Sequence, residues 1–128
     1  MKTFLIAIAC LLLLSNTGCK KKPSGGLGGQ ANLKINAFHH TAPIDSCMVY
    51  IKFNTSEVPS DDQYDLNQAF TKDTDGNSYT IISGLKKGDY YLFARGWDPS
   101  ISQTVKGGIP YTISTEEDIS ITVPVTED

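Results

Sequence analysis

Few side chains in this chain have the types and spacing that chemistry needs. His39 and His40 are its two histidines. An imidazole can serve as a base or as a metal ligand. Neighbours on an extended strand point to opposite faces, so this pair could share one metal only across a turn. No Cys-x-x-Cys or His-x-x-x-His accompanies them, and they read as loop or edge histidines. Cys47 could act as a nucleophile with His39 or His40 as its base. Its strand parity instead groups it with Val49, Ile51 and Phe53, where a buried thiol is inert. Asp73-x-Asp75-x-Asn77 spaces oxygen ligands as a calcium loop does, which makes Asp73, Asp75 and Asn77 the calcium candidates. Glycine stands at the fourth place of that loop rather than the sixth, and no Glu at the twelfth, so a hairpin turn is the expected reading. Glu57, Asp61, Asp62 and Asp65 form a second acidic stretch. None of this composes a catalytic constellation, and a non-enzymatic protein is expected.

The aromatic stripe is more informative. Between Asp89 and Trp97, alternation puts Tyr90, Leu92 and Ala94 on one face and Tyr91, Phe93, Arg95 and Trp97 on the other. Met48 and Tyr50 can join the second face from a neighbouring strand. A solvated outer face should be polar, so this one is either covered by a loop or used as a binding platform. The loops over 55–68 and 98–111 are the available covers. Tyr91, Phe93, Arg95 and Trp97 are the candidate ligand contacts.

The elements that position these residues are short strands. Period-two patterning marks Ala31–Ala37, Ser46–Asn54, Gln68–Lys72, Ser78–Ser83, Asp89–Trp97 and Asp118–Val125. Ser102–Lys106 and Tyr111–Ser114 are expected on either side of a break at Gly107-Gly108. No stretch shows a convincing helical period. About seven such strands predict one antiparallel β-sandwich over 31–128. Residues 31–128 hold all 14 acidic side chains of the chain but only seven basic ones, leaving about −7. That excludes a nucleic-acid binder and a broad electrostatic membrane dock.

The first residues belong to another category. Met1-Lys2 is followed by an uncharged apolar run from Phe4 to Leu14, too short to span a bilayer as a helix. It fits the core of a secretory signal. Leu14-Ser15-Asn16-Thr17-Gly18-Cys19 then resembles the lipobox of bacterial lipoproteins. The resemblance implies cleavage after residue 18 and lipidation of Cys19. Residues 19–30, with three lysines and several glycines, read as a lipidated Cys and flexible tether. Exported surface lipoproteins of some Gram-negative groups carry acids just after the Cys. Lysines there favour the periplasmic face of the outer membrane over the cell surface. Cys10 leaves with the signal, so Cys47 has no disulfide partner.

A second resemblance lies in Thr71–Arg95, TKDTDGNSYTIISGLKKGDYYLFAR. It looks like the signature of carboxypeptidase-regulatory-like and collagen-adhesin B-type domains, the transthyretin-like (Ig-like) sandwiches. Asp73, Gly76, Tyr79, Ile81, Gly84, Leu85, Gly88, Tyr90, Leu92 and Ala94 match the pattern. Some B-type repeats form a Lys–Asn or Lys–Asp isopeptide. Here Leu92–Arg95 lacks the helping Glu and Ile119–Val125 lacks Asn or Asp, so Lys52 is not expected to crosslink. The expected protein is therefore an envelope lipoprotein acting as a binding or accessory module for a protein partner. The alternative is a carbohydrate-binding lipoprotein, as starch-binding-like domains share the sandwich, with Trp97, Tyr91 and Tyr64 as the sugar platform. No cofactor is expected, calcium at Asp73, Asp75 and Asn77 aside.

Overall fold

The computed structural model describes residues 22–128, so the signal segment and Cys19 lie outside the described residues. Alternating apolar side chains along each segment give strands, because one face of each must leave water. In chain order these are β1 (Leu27–His39), β2 (Ala42–Pro43), β3 (Ser46–Phe53), β4 (Leu66–Ala69), β5 (Thr71–Lys72), β6 (Ser78–Leu85), β7 (Gly88–Asp98), β8 (Gln103–Ile113) and β9 (Asp118–Glu127). They run along one hydrogen-bonded path, β4-β3-β7-β8-β9-β1-β6-β5, with the short β2 pairing beside β1.

The path curls until it almost closes into a barrel. At the open seam the Gln68 amide nitrogen donates to Thr80 Oγ1 (2.6 Å) and to the Ile81 carbonyl (3.1 Å), tying β4 to β6. The inward rows meet in one core that includes Leu33, Ile35, Val49, Ile51, Leu92, Val105 and Val123, all fully buried. The inward parity expected for Cys47, Val49 and Ile51, and for Tyr90, Leu92 and Ala94, is the parity found.

Four expectations change. The sheet is not wholly antiparallel, since β1 and β9 pair in parallel from Asn32↔Asp118 to His39↔Val125. Parallel neighbours need a long crossover, and here the crossover is the whole intervening domain. The described residues form nine strands rather than seven, two of them only two residues long. Gly107-Gly108 does not break a strand, because β8 runs straight through it. A side chain at Gly107 would strike the Pro124 carbonyl of β9, and one at Gly108 would strike the Tyr91 ring. Those glycines permit close approach, which is the other use of glycine inside a strand.

The fourth change is at the entry. A flexible tether is expected as far as residue 30, but the chain joins the sheet at Leu27 and docks before it. Gly25 N donates to Asn54 Oδ1 (2.7 Å), Gly26 N to Tyr90 Oη (2.8 Å) and Lys86 N to the Gly26 carbonyl (2.8 Å). Tyr90 Oη in turn donates to the Lys86 carbonyl (2.6 Å). Gly88, at φ +149°, approaches the Gly25 backbone so closely that a Cβ has no room. The stem therefore enters at the Leu85–Tyr90 end. His39, Asp98 and Glu127 end their strands at the other, roughly 30–40 Å away along β1 at about 3.3 Å per residue.

Candidate functional site

The outer face of β3, β7 and β8 carries the aromatic stripe. Tyr50 pairs with Phe93, Met48 with Arg95 and Ser46 with Trp97. On the other side Phe93 pairs with Gly108, Arg95 with Lys106 and Trp97 with Thr104. The loop between β3 and β4 covers part of this face. Its Tyr64 ring lies over Phe93 (6.0 Å between centroids, 22° between planes) and against Tyr50 (5.5 Å). Burial, together with Tyr91 and Asp62 nearby, raises the Tyr64 phenol above its usual range.

The four candidate contacts are thereby divided. Tyr91 is buried over Gly108 and offers almost no surface. Phe93 is half-buried under Tyr64, whereas Arg95 is exposed and Trp97 is 47% exposed. An open groove of about 540 Å³ is bordered by Tyr50, Tyr64, Phe93 and Arg95, with Asp62, Gln63, Asn67 and Lys106 as polar walls. A second depression of about 360 Å³ shares Tyr50 and Arg95 and continues to Trp97. Together they form one furrow with ring faces on its floor and hydrogen-bonding groups on its sides, able to hold an extended or flat polar ligand.

A second constellation sits at the end of the barrel away from the stem. His39 is buried, and both ring nitrogens face carboxylates: Nδ1 to Asp98 Oδ2 (2.6 Å) and Nε2 to Glu127 Oε2 (2.5 Å). Two carboxylate acceptors ask both ring nitrogens to donate, which is the imidazolium form. The hydrogen bond that His39 donates to Asp98 accordingly leads in raising the His39 pKa, against the opposing effect of burial. Asp98 is held below the usual carboxylate range, first by Ser100 and then by His39. Ser100 N and Oγ both donate to Asp98 Oδ1 (2.8 and 2.6 Å). Ser100 thus points at the aspartate and not at His39, so the three do not make a nucleophile relay.

His40 joins this cluster, although the sequence argument separated the pair. β1 ends at His39, and His40 adopts a left-handed backbone (φ +53°) in the turn to β2. That turn cancels the strand alternation and brings the two rings to 4.4 Å. Ligand atoms of His39, His40 and Glu127 all lie within 4.8 Å of one another.

The remaining candidates are local. Cys47 is buried on the inward face, and burial pushes its thiol up to about 11. It has no hydrogen bond to either histidine; those of His39 go to Asp98 and Glu127. Asp73 Oδ1 accepts from the backbone N–H groups of Asp75 and Asn77 (3.0 and 2.9 Å), and the Asn77 amide donates to Asp73 Oδ2. The carboxylate is thus occupied by its own turn, with Gly76 in the left-handed region at φ +87°. In the second acidic stretch Asp61 accepts from Gln63 N and Asp65 from Phe53 N. Among the described residues these acids do not converge with Asp73 and Asp75.

Sequence reasoning passed over Asp98 and Glu127. A signal was there: His39, Asp98 and Glu127 each extend the inward row of its strand, after Ala37, Ala94 and Val125. A polar residue prolonging an apolar row must find a partner. Comparison with protein-family models, curated proteins and solved structures finds no match for this chain.

Proposed function

We propose that the chain is a non-enzymatic binding module of the bacterial envelope, anchored by lipid at Cys19 and presenting its β3-β7-β8 face to a protein partner. The observation that carries this reading is the placement of the half-exposed Trp97 beside the exposed Arg95. Both lie on an open furrow at the end of the barrel away from the stem. With residue 19 in a membrane, the docked stem would turn the Arg95–Trp97 end outward, where a partner can reach it. The ring would supply apolar contact area and Arg95 a charge-assisted bond.

The lipid anchor rests on the resemblance of residues 14–19 to a lipobox, and the periplasmic face on the lysines that follow. A transthyretin-type sandwich is the finer fold reading. Its supports are the Asp73–Asn77 turn, the close approach at Gly88, and the burial of Leu85 and Tyr90 where that pattern wants them.

Site-specific photo-crosslinking in cells tests the binding reading. A photoreactive residue at position 97 is expected to give a discrete protein adduct that Arg95→Ala removes. The same residue at Ile81, exposed on β6, should give none. No adduct at position 97 would reject a protein partner. A second reading, carbohydrate binding, is favoured by the polar walls Asp62, Gln63 and Asn67. It predicts retention of the full chain on envelope polysaccharide and loss of that retention in Trp97→Ala. Protease shaving of cells carrying a C-terminal epitope decides the face of the membrane.

A further inference from the structure

We infer that His39, His40 and Glu127 form a binding site for a zinc-class divalent cation, with Asp98 as the group that orients it. The inference does not depend on the furrow or its ligand. Three features of the molecule combine. The end of β1, the turn after it and the end of the neighbouring β9 bring two imidazoles and one carboxylate together, with their ligand atoms within 4.8 Å of one another. This is a nitrogen-rich, thiolate-free donor set of the kind zinc and copper(II) take.

The second feature is the backing of His39. Its Nδ1 is engaged by the buried Asp98 Oδ2 at 2.6 Å, and Asp98 is fixed by two bonds from Ser100. Carboxylate–histidine–metal chains have this arrangement: the rear bond sets the ring orientation, and the cation would take Nε2 in place of the proton now given to Glu127, which would leave to solvent. The third is the backbone of His40. Its left-handed conformation is uncommon for a residue with a Cβ, and it lies in the turn that brings the second imidazole to 4.4 Å from the first.

The pair formed by His39 and Glu127 needs little adjustment. Nε2 and Glu127 Oε2 stand 2.5 Å apart. Two ligands of a tetrahedral zinc at about 2.0–2.1 Å sit about 3.3 Å apart, so the carboxylate would withdraw by less than about 1 Å. Glu127 has the freedom for that, since its side chain is 44% exposed. His40 and Glu127 face solvent, so the fourth position would open to water or to a donor group from outside. Bound there, the ion would clamp the ends of β1 and β9 to each other.

The test is calorimetric titration of the full chain, purified in detergent without a polyhistidine tag and stripped with chelator, using zinc chloride alone. The expected result is saturable binding at one ion per chain. His40→Ala and Glu127→Gln should each weaken it at least about tenfold, and Asp98→Asn by about 10–100-fold. His40 is exposed, so its removal reads binding without threatening the fold, which circular dichroism would verify. Cobalt(II) in place of zinc should give visible absorption bands that His40→Ala abolishes. Absence of one-to-one binding, or binding indifferent to His40→Ala, would overturn the proposal.

Discussion

The two polar regions of this small barrel are built in opposite ways. At the His39 end the buried polar groups have partners before any ligand arrives. His39 is held between Asp98 and Glu127, and Asp98 is held by Ser100. Along the furrow the groups are left open. Arg95 and Trp97 project from β7 into solvent, and only Phe93 and Tyr50 are covered, by Tyr64. Adjacent residues divide the two regions, because alternation on β7 sends Trp97 out and Asp98 in. A closed cluster resists change, and an open one is available to something else. Stability should therefore concentrate in the first region, and recognition of a macromolecular partner in the second.

The largest contrast should come from His39→Ala set against Trp97→Ala. The first leaves the buried Asp98 carboxylate without its cationic partner and held by Ser100 alone, and removing one partner of a buried ion pair is strongly destabilising. The second removes a half-exposed ring and should change stability by about 0.5 kcal/mol or less. Thermal unfolding of both variants checks this, and similar drops in Tm would break the comparison. Next comes Gly108→Ala, whose methyl group would collide with the Tyr91 ring. Overpacking of this kind costs about 1–3 kcal/mol by denaturant titration. Because Tyr91 supports the covered part of the furrow, the variant should also loosen Tyr64 from Phe93.

Cys47 sharpens the contrast without a mutation. With its thiol pushed up to about 11, about one molecule in a thousand carries thiolate at pH 8. Alkylation at the Cys47 peptide, read by mass spectrometry, should be slow in the folded chain and fast once denaturant is added. The smallest effect belongs to a control outside both regions. Asp45 lies below its ordinary value because Lys72 and then Ser78 donate to it. A lowered folded pKa gives stability that is present above the unfolded value of about 3.9 and lost as pH falls through the folded one. Asp45→Asn should thus flatten the acid limb of the stability profile, at a cost of no more than about 1 kcal/mol near neutrality because solvent screens the pair.

Much of the fold was legible because period-two rows report burial directly. Leu33, Ile35 and Ala37, and then Tyr90, Leu92 and Ala94, gave their faces without any tertiary information. The glycines misled, since Gly107-Gly108 has a turn's composition but a strand's role. That role depends on Pro124 of β9 and the Tyr91 ring of β7, which local sequence does not display. The furrow was half legible. Parity placed Arg95 and Trp97 outside correctly, but could not say that Tyr91 would lie buried over Gly108. The His39 cluster was the least legible part. Asp98 and Glu127 lie 59 and 88 residues from His39, and the parallel pairing that brings β9 beside β1 is set by the whole sheet. The left-handed backbone of His40 likewise follows from the turn into β2, where residue type gave no warning.

The central claim is that the Arg95–Trp97 face is occupied in the cell. Hydroxyl-radical footprinting reads this at single residues, and Trp97 is the chain's one tryptophan. Oxidation of Trp97 and Tyr50 would be compared between the purified chain and the intact envelope, with Tyr79 on β6 as the internal reference. The account predicts rapid oxidation of Trp97 in the purified chain, strong protection in the envelope, and no change at Tyr79. Equal oxidation of Trp97 in both settings would contradict it.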